Sequence, residues 1–287
     1  MEKVRIGVIG GTGFYQMGGL TDVEELSIET PFGDPSDTIR IGTLEGRRAA
    51  FLARHGRGHR YSPTEINMRA NIFALKTLGV DWIISVSAVG SLKEEIRPTD
   101  FVIPDQLYDH TKIRKNTFFG KGIVAHVGMA APFCDDLRIL LCDAAEETGI
   151  TVHREGTYIC MEGPQFSTKA ESSTYRSWGC SVIGMTVAPE AKLAREAEMC
   201  YAAIACSTDY DCWHEEHDSV TVEMIIENLH ANVNNAQDVL QKVVPAIPLD
   251  KNCHCHSALK SAILTKPDAV PRDTIDQLGP LVAKYFD

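Results

Sequence analysis

At 287 residues, 44% hydrophobic and 23% charged, with a formal net charge of -11, the chain can bury a large α/β core. It presents no basic field for nucleic acid or an anionic membrane surface, so any anion it binds needs a local site. No Pro/Gly/Ser-rich linker or shift in composition divides it, and one domain over 1–287 is expected.

The apolar pattern begins at about Val4 without a charged-then-apolar leader, and no apolar run reaches the roughly 18 residues that span a bilayer. A cytoplasmic location is therefore expected. Most of the nine cysteines sit in apolar runs, where a thiol behaves as a small hydrophobe. Cys253 and Cys255 instead flank His254 and precede His256 in a polar segment, where a strained disulfide, a metal pair or surface thiols are all open. No second pair at ligand spacing completes a tetrahedral set, so no metal site is expected.

Val4 to Ile9 reads as a strand that empties into Gly10-Gly11-Thr12-Gly13. Glycines there let backbone amides approach an anion, and the Thr12 hydroxyl adds a donor. The spacing is not that of a dinucleotide fingerprint, and a phosphate loop fits better. Ala49 to Ala53 reads as a buried strand ending in the basic run Arg54-His55-Gly56-Arg57-Gly58-His59-Arg60. Arg grips an oxyanion with two parallel hydrogen bonds, and His donates a further one. Ser62-Pro63-Thr64-Glu65 carries the signature of a helix start, with Ile66, Ala70, Phe73 and Ala74 on the buried face up to Gly79. Trp82 to Val86 is a further buried strand, ending in the small-residue turn Ser87-Ala88-Val89-Gly90-Ser91.

Asp135 to Thr148 reads as an amphipathic helix stopped at Gly149, and Thr157 to Cys160 as a strand leading to Met161-Glu162-Gly163-Pro164-Gln165-Phe166-Ser167. Thr168 to Glu171 forms a capping box, and Ser181 to Met185 is a strand running into Thr186-Val187-Ala188-Pro189-Glu190. The buried run from Tyr201 then delivers two carboxylates, Asp209 and Asp211, at its end. In an extended backbone alternate side chains share a face, so this spacing aims both acids at one target beyond the carboxyl end of the strand. That edge is where open α/β sheets bind ligands. Val222, Ile225, Ile226, Leu229 and Val233 recur at helical spacing and predict a long helix over this site or the sheet. The tail from Pro245 reads as irregular until a short helix near 273–285.

Taken together, Gly10-Gly11-Thr12-Gly13, Ala53-Arg54-His55-Gly56, Glu162 to Ser167, Met185-Thr186 with Pro189-Glu190, and Thr208 to Trp213 closely resemble the trimeric purine nucleoside phosphorylase family, in the same order and at similar separations. The aspartate pair resembles that family's methylthioadenosine-cleaving branch rather than the enzymes of 6-oxopurines, whose matching position resembles an asparagine. The resemblance covers roughly residues 4 to 240 and implies an α/β fold with a central mixed β-sheet flanked by helices. It implies phosphorolysis of S-methyl-5'-thioadenosine to adenine and 5-methylthioribose 1-phosphate, in purine and methionine salvage, with inorganic phosphate as co-substrate and no other cofactor.

Position by position, it implies that Thr12, Arg54, His55, Ser87 and the Ala88 backbone hold phosphate and that Thr186 reaches the phosphate or the sugar, Ser87 standing where a threonine is usual but keeping the hydroxyl. Phe166 and Met185 would line base and ribose, Asp209 and Asp211 would hold the purine N7 and 6-amino edge, and Val222 and Ile225 would bound the methylthio group. His126 matches a position contributed across a subunit boundary, which implies a trimer or a dimer of trimers.

Phosphorolysis of a purine nucleoside needs a nucleophile on one face of C1', stabilisation of an oxocarbenium-like centre, and a proton or hydrogen bond on the departing ring. Phosphate supplies the first two when a cradle positions it. A carboxyl among apolar walls, beside a second carboxyl, has a raised pKa, so Asp209 can carry the proton to N7. A phosphorylase of 6-oxopurines shares the scaffold, with the aspartate pair counting against it. A dinucleotide oxidoreductase wants an acid about 20 residues past its glycines, near Glu29, but the glycine spacing fails. A nucleoside sensor without turnover would tolerate loss of Arg54 and His55, which are present.

Overall fold

The computed structural model describes residues 3–11, 17–214, 222–250 and 253–286, without the side chains of 222–227. It is an α/β molecule built on one mixed sheet. In chain order the strands are β1 (Ile6–Gly10), β2 (Thr21–Leu26), β3 (Ile39–Leu44), β4 (Arg47–Ala53), β5 (Trp82–Ser91), β6 (Phe101–Val102), β7 (Gln106–His110), β8 (Val152–His153), β9 (Thr157–Met161), β10 (Val182–Gly184) and β11 (Cys200–Asp209). The helices are α1 (Met68–Thr77), α2 (Asp135–Glu147), α3 (Lys169–Ser177), α4 (Val187–Glu196), α5 (Val222–Ala246) and α6 (Arg272–Leu278).

The sheet runs β2-β3-β4-β1-β5-β10-β9-β7, with β11 paired to β5 and to β6, and β8 beyond β6. β5 is the branch point. Along most of its length it lies parallel to β1 on one side and to β11 on the other, and at its last residues it turns antiparallel to β10. Since β1 is also parallel to β4, four strands present their carboxyl ends, Gly10, Ala53, the Ser87–Gly90 run and Asp209, along one edge. Strands buried on both faces explain the continuous apolar runs of β1, β5 and β11. Helices α1 and α4 with the C-terminal turns cover one face, and α2 and α5 the other, each over its own hydrophobic cluster.

Several expectations are met and others corrected. α2 stops at Thr148 with Gly149 in the left-handed region, and Thr168 makes the expected capping box with Glu171. The helix expected from Ser62 starts only at Met68, capped by Asn67. Ser62 and Glu65 do exchange capping-box hydrogen bonds, Glu65 Oε2 accepting from the Ser62 amide at 3.0 Å and hydroxyl at 2.6 Å, but they close a turn outside a helix. β2 and β3 are not announced by the sequence pattern. Asp211 is not in the strand at all: β11 ends at Asp209 after an irregularity in its register with β5, and Asp211 sits in the following turn at φ 50°. Cys253 and Cys255, expected in a polar segment, are buried, Cys253 capping the 3-10 turn His254–Ser257 and Cys255 within it.

Candidate active site

A cavity of about 680 Å³ opens over the carboxyl edge of the sheet. The four strand ends supply its floor, and Met161 at the end of β9 with Pro164 and Phe166 beyond it, Met185 and Thr186 after β10, and Leu229, Asn232 and Val233 of α5 supply its walls. It is an apolar chamber with a few convergent polar groups, the usual character of a small-molecule site.

Of the residues expected to hold phosphate, Arg54, His55, Ser87, Ala88 and Thr186 all line this one cavity. Thr12 lies outside the described residues. The run from Arg54 to Arg60 is split by the fold. Arg57 turns away to Glu25 and Asp37, whereas His55, His59 and Arg60 face the cavity, the two imidazoles stacked 4.1 Å apart. Arg54 is fully buried, and the two-pronged grip expected for an anion is taken by Glu190. Its Nε donates to Glu190 Oε1 at 2.5 Å and its Nη2 to Oε2 at 3.2 Å, with Val86 O, Ile9 O and Ser85 Oγ as further acceptors. The guanidinium therefore offers an oxyanion a fixed positive charge and at most an Nη1 hydrogen, not a free fork.

His55 also departs from its expected role as a donor. Burial first, with the Arg54 charge adding, pushes the imidazole down to about 4, so it is neutral at neutral pH. Its Nδ1 lies 2.8 Å from the Tyr61 carbonyl oxygen, which can only accept. Nδ1 must then carry the hydrogen, leaving Nε2 a lone-pair acceptor. Hydroxyls add donors to those of Arg60: Ser87 Oγ pairs with Tyr158 Oη at 3.3 Å, and the buried Thr186 Oγ1 has no hydrogen bond of normal geometry among the described residues.

At the other end, Asp209 and Asp211 are both in the lining and both buried. They converge because the chain turns, not because strand positions alternate: Asp209 Oδ1 accepts from the Asp211 amide at 2.8 Å, closing the turn, while Oδ2 accepts from Thr208 Oγ1 at 2.7 Å. Burial raises the Asp209 carboxyl against those two hydrogen bonds. Burial, with the Asp209 charge adding, pushes Asp211 up to about 6, and its buried Oδ2 has no hydrogen bond of normal geometry among the described residues. Both carboxyls are thus held above the ordinary carboxylate range, and each charge disfavours the other, so the two acids titrate as neighbours rather than independently. Gly90 makes room for them. A Cβ there would stand 3.0 Å from Asp209 Oδ1, 3.3 Å from Asp211 Cβ and 3.2 Å from Ile183.

Phe166 and Met185 flank the space between the two ends, Phe166 with 49% of its surface exposed. Met185 is seated over Gly163, which has φ 68° and where a Cβ would fall 2.5 Å from the Met185 sulfur. Val222 and Ile225 fall in the first turns of α5, and their side chains lie outside the described residues. His126 is exposed and is not in the lining of its own chain's cavity.

Sequence reasoning missed the groups that hold these residues in place. Glu190 binds Arg54, Ser85 and Tyr201 together. Glu162, which Thr64, the Lys112 and Ile113 amides and Arg114 pull down to about 2 despite its partial burial, anchors the wall after β9. Asn228 and Asn232 donate to the Thr208 and Ser207 carbonyls at 2.7 and 2.8 Å and dock α5 on the end of β11. An acid inside an apolar helix face, as at Glu190, was the available signal. A different cluster, Cys134, Cys200, Cys253 and Cys255, also forms among the described residues, correcting the expectation that no second cysteine pair completes the first.

Residues 5–245 match the family model described as the phosphorylase superfamily. An S-methyl-5'-thioadenosine phosphorylase from Koribacter versatilis is 58% identical over 99% of this chain and 97% of its own. The crystal structure of a methylthioadenosine phosphorylase from an antarctic soil metagenomic library superposes with a TM-score of 0.93 at 49% identity, covering 98% of this chain and 99% of that one. A mutant adenosine/methylthioadenosine phosphorylase from Schistosoma mansoni, solved in complex with methylthioadenosine, gives 0.84 at 38% identity over 90% of this chain and 96% of that one.

Proposed function

The chain belongs to the phosphorylase superfamily, and on that footing we propose that it is a pentosyltransferase cleaving S-methyl-5'-thioadenosine with phosphate to adenine and 5-methylthioribose 1-phosphate. The observation that carries this reading is one chamber with an anion cradle at one end and a buried carboxyl pair at the other.

Hydrogen phosphate sits over Ser87, Ala88 and Thr186, with the charge of Arg54 behind it and its hydrogen directed to the lone pair of His55 Nε2. A phosphate oxygen attacks C1' as the C1'–N9 bond breaks, and its negative charge offsets the cation developing on the sugar. The carboxyl pair places a proton on N7, so adenine leaves as the neutral base, and the hydrogen lost from hydrogen phosphate balances the one gained by the purine. An ionised member of the pair accepts from the 6-amino group. Phe166 and Met185 hold base and sugar between the two ends.

The exposed His126 reaches the cavity of a neighbouring copy, which makes the working unit a homo-oligomer, a trimer or a dimer of trimers. We place the chain in the cytoplasm, where buried thiols such as these stay reduced. Among the described residues no helix is long and apolar enough to cross a membrane. The test is adenine release from methylthioadenosine followed by chromatography with and without phosphate. Release only with phosphate, one adenine per phosphate esterified, is expected; hydrolysis without phosphate would overturn the reading.

A further inference from the structure

Four sulfurs from three distant parts of the chain meet at the far end of the sheet. Cys134 is the residue before α2, Cys200 opens β11, and Cys253 and Cys255 belong to the single turn near the C-terminal tail. Their Sγ atoms all lie within 4.8 Å of one another, Cys134 and Cys253 at 3.6 Å, and all four are buried free thiols. A tetrahedral tetrathiolate with metal–sulfur bonds of about 2.3 Å has sulfur–sulfur edges of about 3.8 Å. Small rotamer changes close the difference.

We propose that Cys134, Cys200, Cys253 and Cys255 bind one zinc ion as a closed structural site. Soft thiolates select zinc over calcium or magnesium, and a shell of four protein ligands leaves no position for catalysis. Binding exchanges four thiol protons for one dication, and these leave for solvent. The resulting centre is dianionic and needs donors around it. His256 Nε2 lies 3.4 Å from the Cys200 sulfur, and His254 presents Nδ1 at 3.7 Å to Cys253 and Nε2 at 3.8 Å to Cys255. A metal here clamps the tail turn to α2 and to the amino end of β11. The acids at the other end of that strand are about 30 Å away by strand rise, so the site serves stability and not the reaction.

The test is titration of the reduced, metal-stripped whole chain with cobalt(II) alone, then with zinc(II). Expected is one cobalt per chain, with sulfur-to-metal charge transfer and the visible bands of a tetrahedral ion, displaced by one equivalent of zinc. His256→Ala should weaken zinc on the order of tenfold. Cys255→Ser should abolish the tetrahedral spectrum, and Cys142→Ser, a buried thiol outside the cluster, should leave it intact. No stoichiometric cobalt binding by the folded wild-type chain, or a purified chain free of metal with the mass deficit of two disulfides, would overturn the proposal. Neither result bears on phosphorolysis, which is assayed separately.

Discussion

Glu190 closes on the Arg54 guanidinium with both carboxylate oxygens, and neither side chain has any surface in contact with solvent. The Ser85 and Tyr201 hydroxyls donate to the same Glu190 oxygen at 3.1 and 2.8 Å, so the pair is a fully bonded buried network directly beneath the cavity. Removing one partner leaves an uncompensated buried charge, at a cost of about 3–5 kcal/mol. Glu190→Gln is expected to lose stability on that scale in urea unfolding and to raise the phosphate KM. Arg54→Ala should lose stability as well as phosphate use. A Glu190→Gln chain with an unmoved urea midpoint would contradict this.

The carboxyl pair and His55 set opposite limbs of a pH profile. Asp211 stands at about 6 when folded against an ordinary 3.8, so its contribution to stability is full below the lower value and lost as pH rises through the higher. The proton for N7 is lost over the same range. His55 is depressed from 6.5 to about 4, so its contribution is full above 6.5 and lost as pH falls through 4. Initial rates at fixed dianionic phosphate should therefore fall above about pH 6, and Asp211→Asn should flatten that limb. An alkaline limb unchanged in the variant would remove the pair from proton transfer.

Gly90→Ala tests how closely the acids are held. The added methyl meets Asp209 Oδ1 at 3.0 Å and Ile183 at 3.2 Å, and Gly90 does not have a positive φ. A shift of the acids approaching 1 Å can cost about 100-fold in kcat/KM. That loss is expected for methylthioadenosine while circular dichroism and oligomeric state stay as in the parent, and full activity would show that the acids have slack.

His126→Ala should leave the fold intact and lower kcat/KM for methylthioadenosine, since its side chain is exposed and outside its own chain's cavity. Mixing His126→Ala chains with Asp209→Asn chains should restore part of the activity, because some sites then combine an intact histidine with an intact acid. No recovery on mixing, in a sample shown by sedimentation to contain mixed oligomers, would refute a shared site.

What could be read in advance follows from the range of the interactions. β1, β5 and β11 were legible because strands buried on both faces leave continuous apolar runs, and the glycine and hydroxyl turns that end them mark the ligand edge. β2 was not, because Thr21 to Leu26 is largely solvent-facing and acid-rich and is held by pairing with β3 alone. The late start of α1 was hidden because Ser62 and Glu65 satisfy the capping pattern locally, and the pattern does not report whether a helix follows. Arg54 and His55 are legible as cavity residues, but their protein partners Glu190 and Tyr61 are not, since these are fixed by tertiary placement. The cysteine cluster has the same origin: Cys134 and Cys200 reach Cys253 and Cys255 only in the folded chain.

The claim that the Asp209–Asp211 pair reads the purine is tested most directly by kcat/KM for methylthioadenosine over methylthioinosine, in the parent chain and in Asp209→Asn. An ionised carboxylate sets acceptor against acceptor opposite a 6-oxo group, whereas an asparagine amide can donate to it. Mismatched polar pairs in a desolvated site discriminate by about 2 kcal/mol or more, so a parent ratio of at least about 30 is expected, falling by an order of magnitude or more in the variant. A parent ratio below one, or a ratio unmoved by the substitution, would contradict the assignment of this strand end.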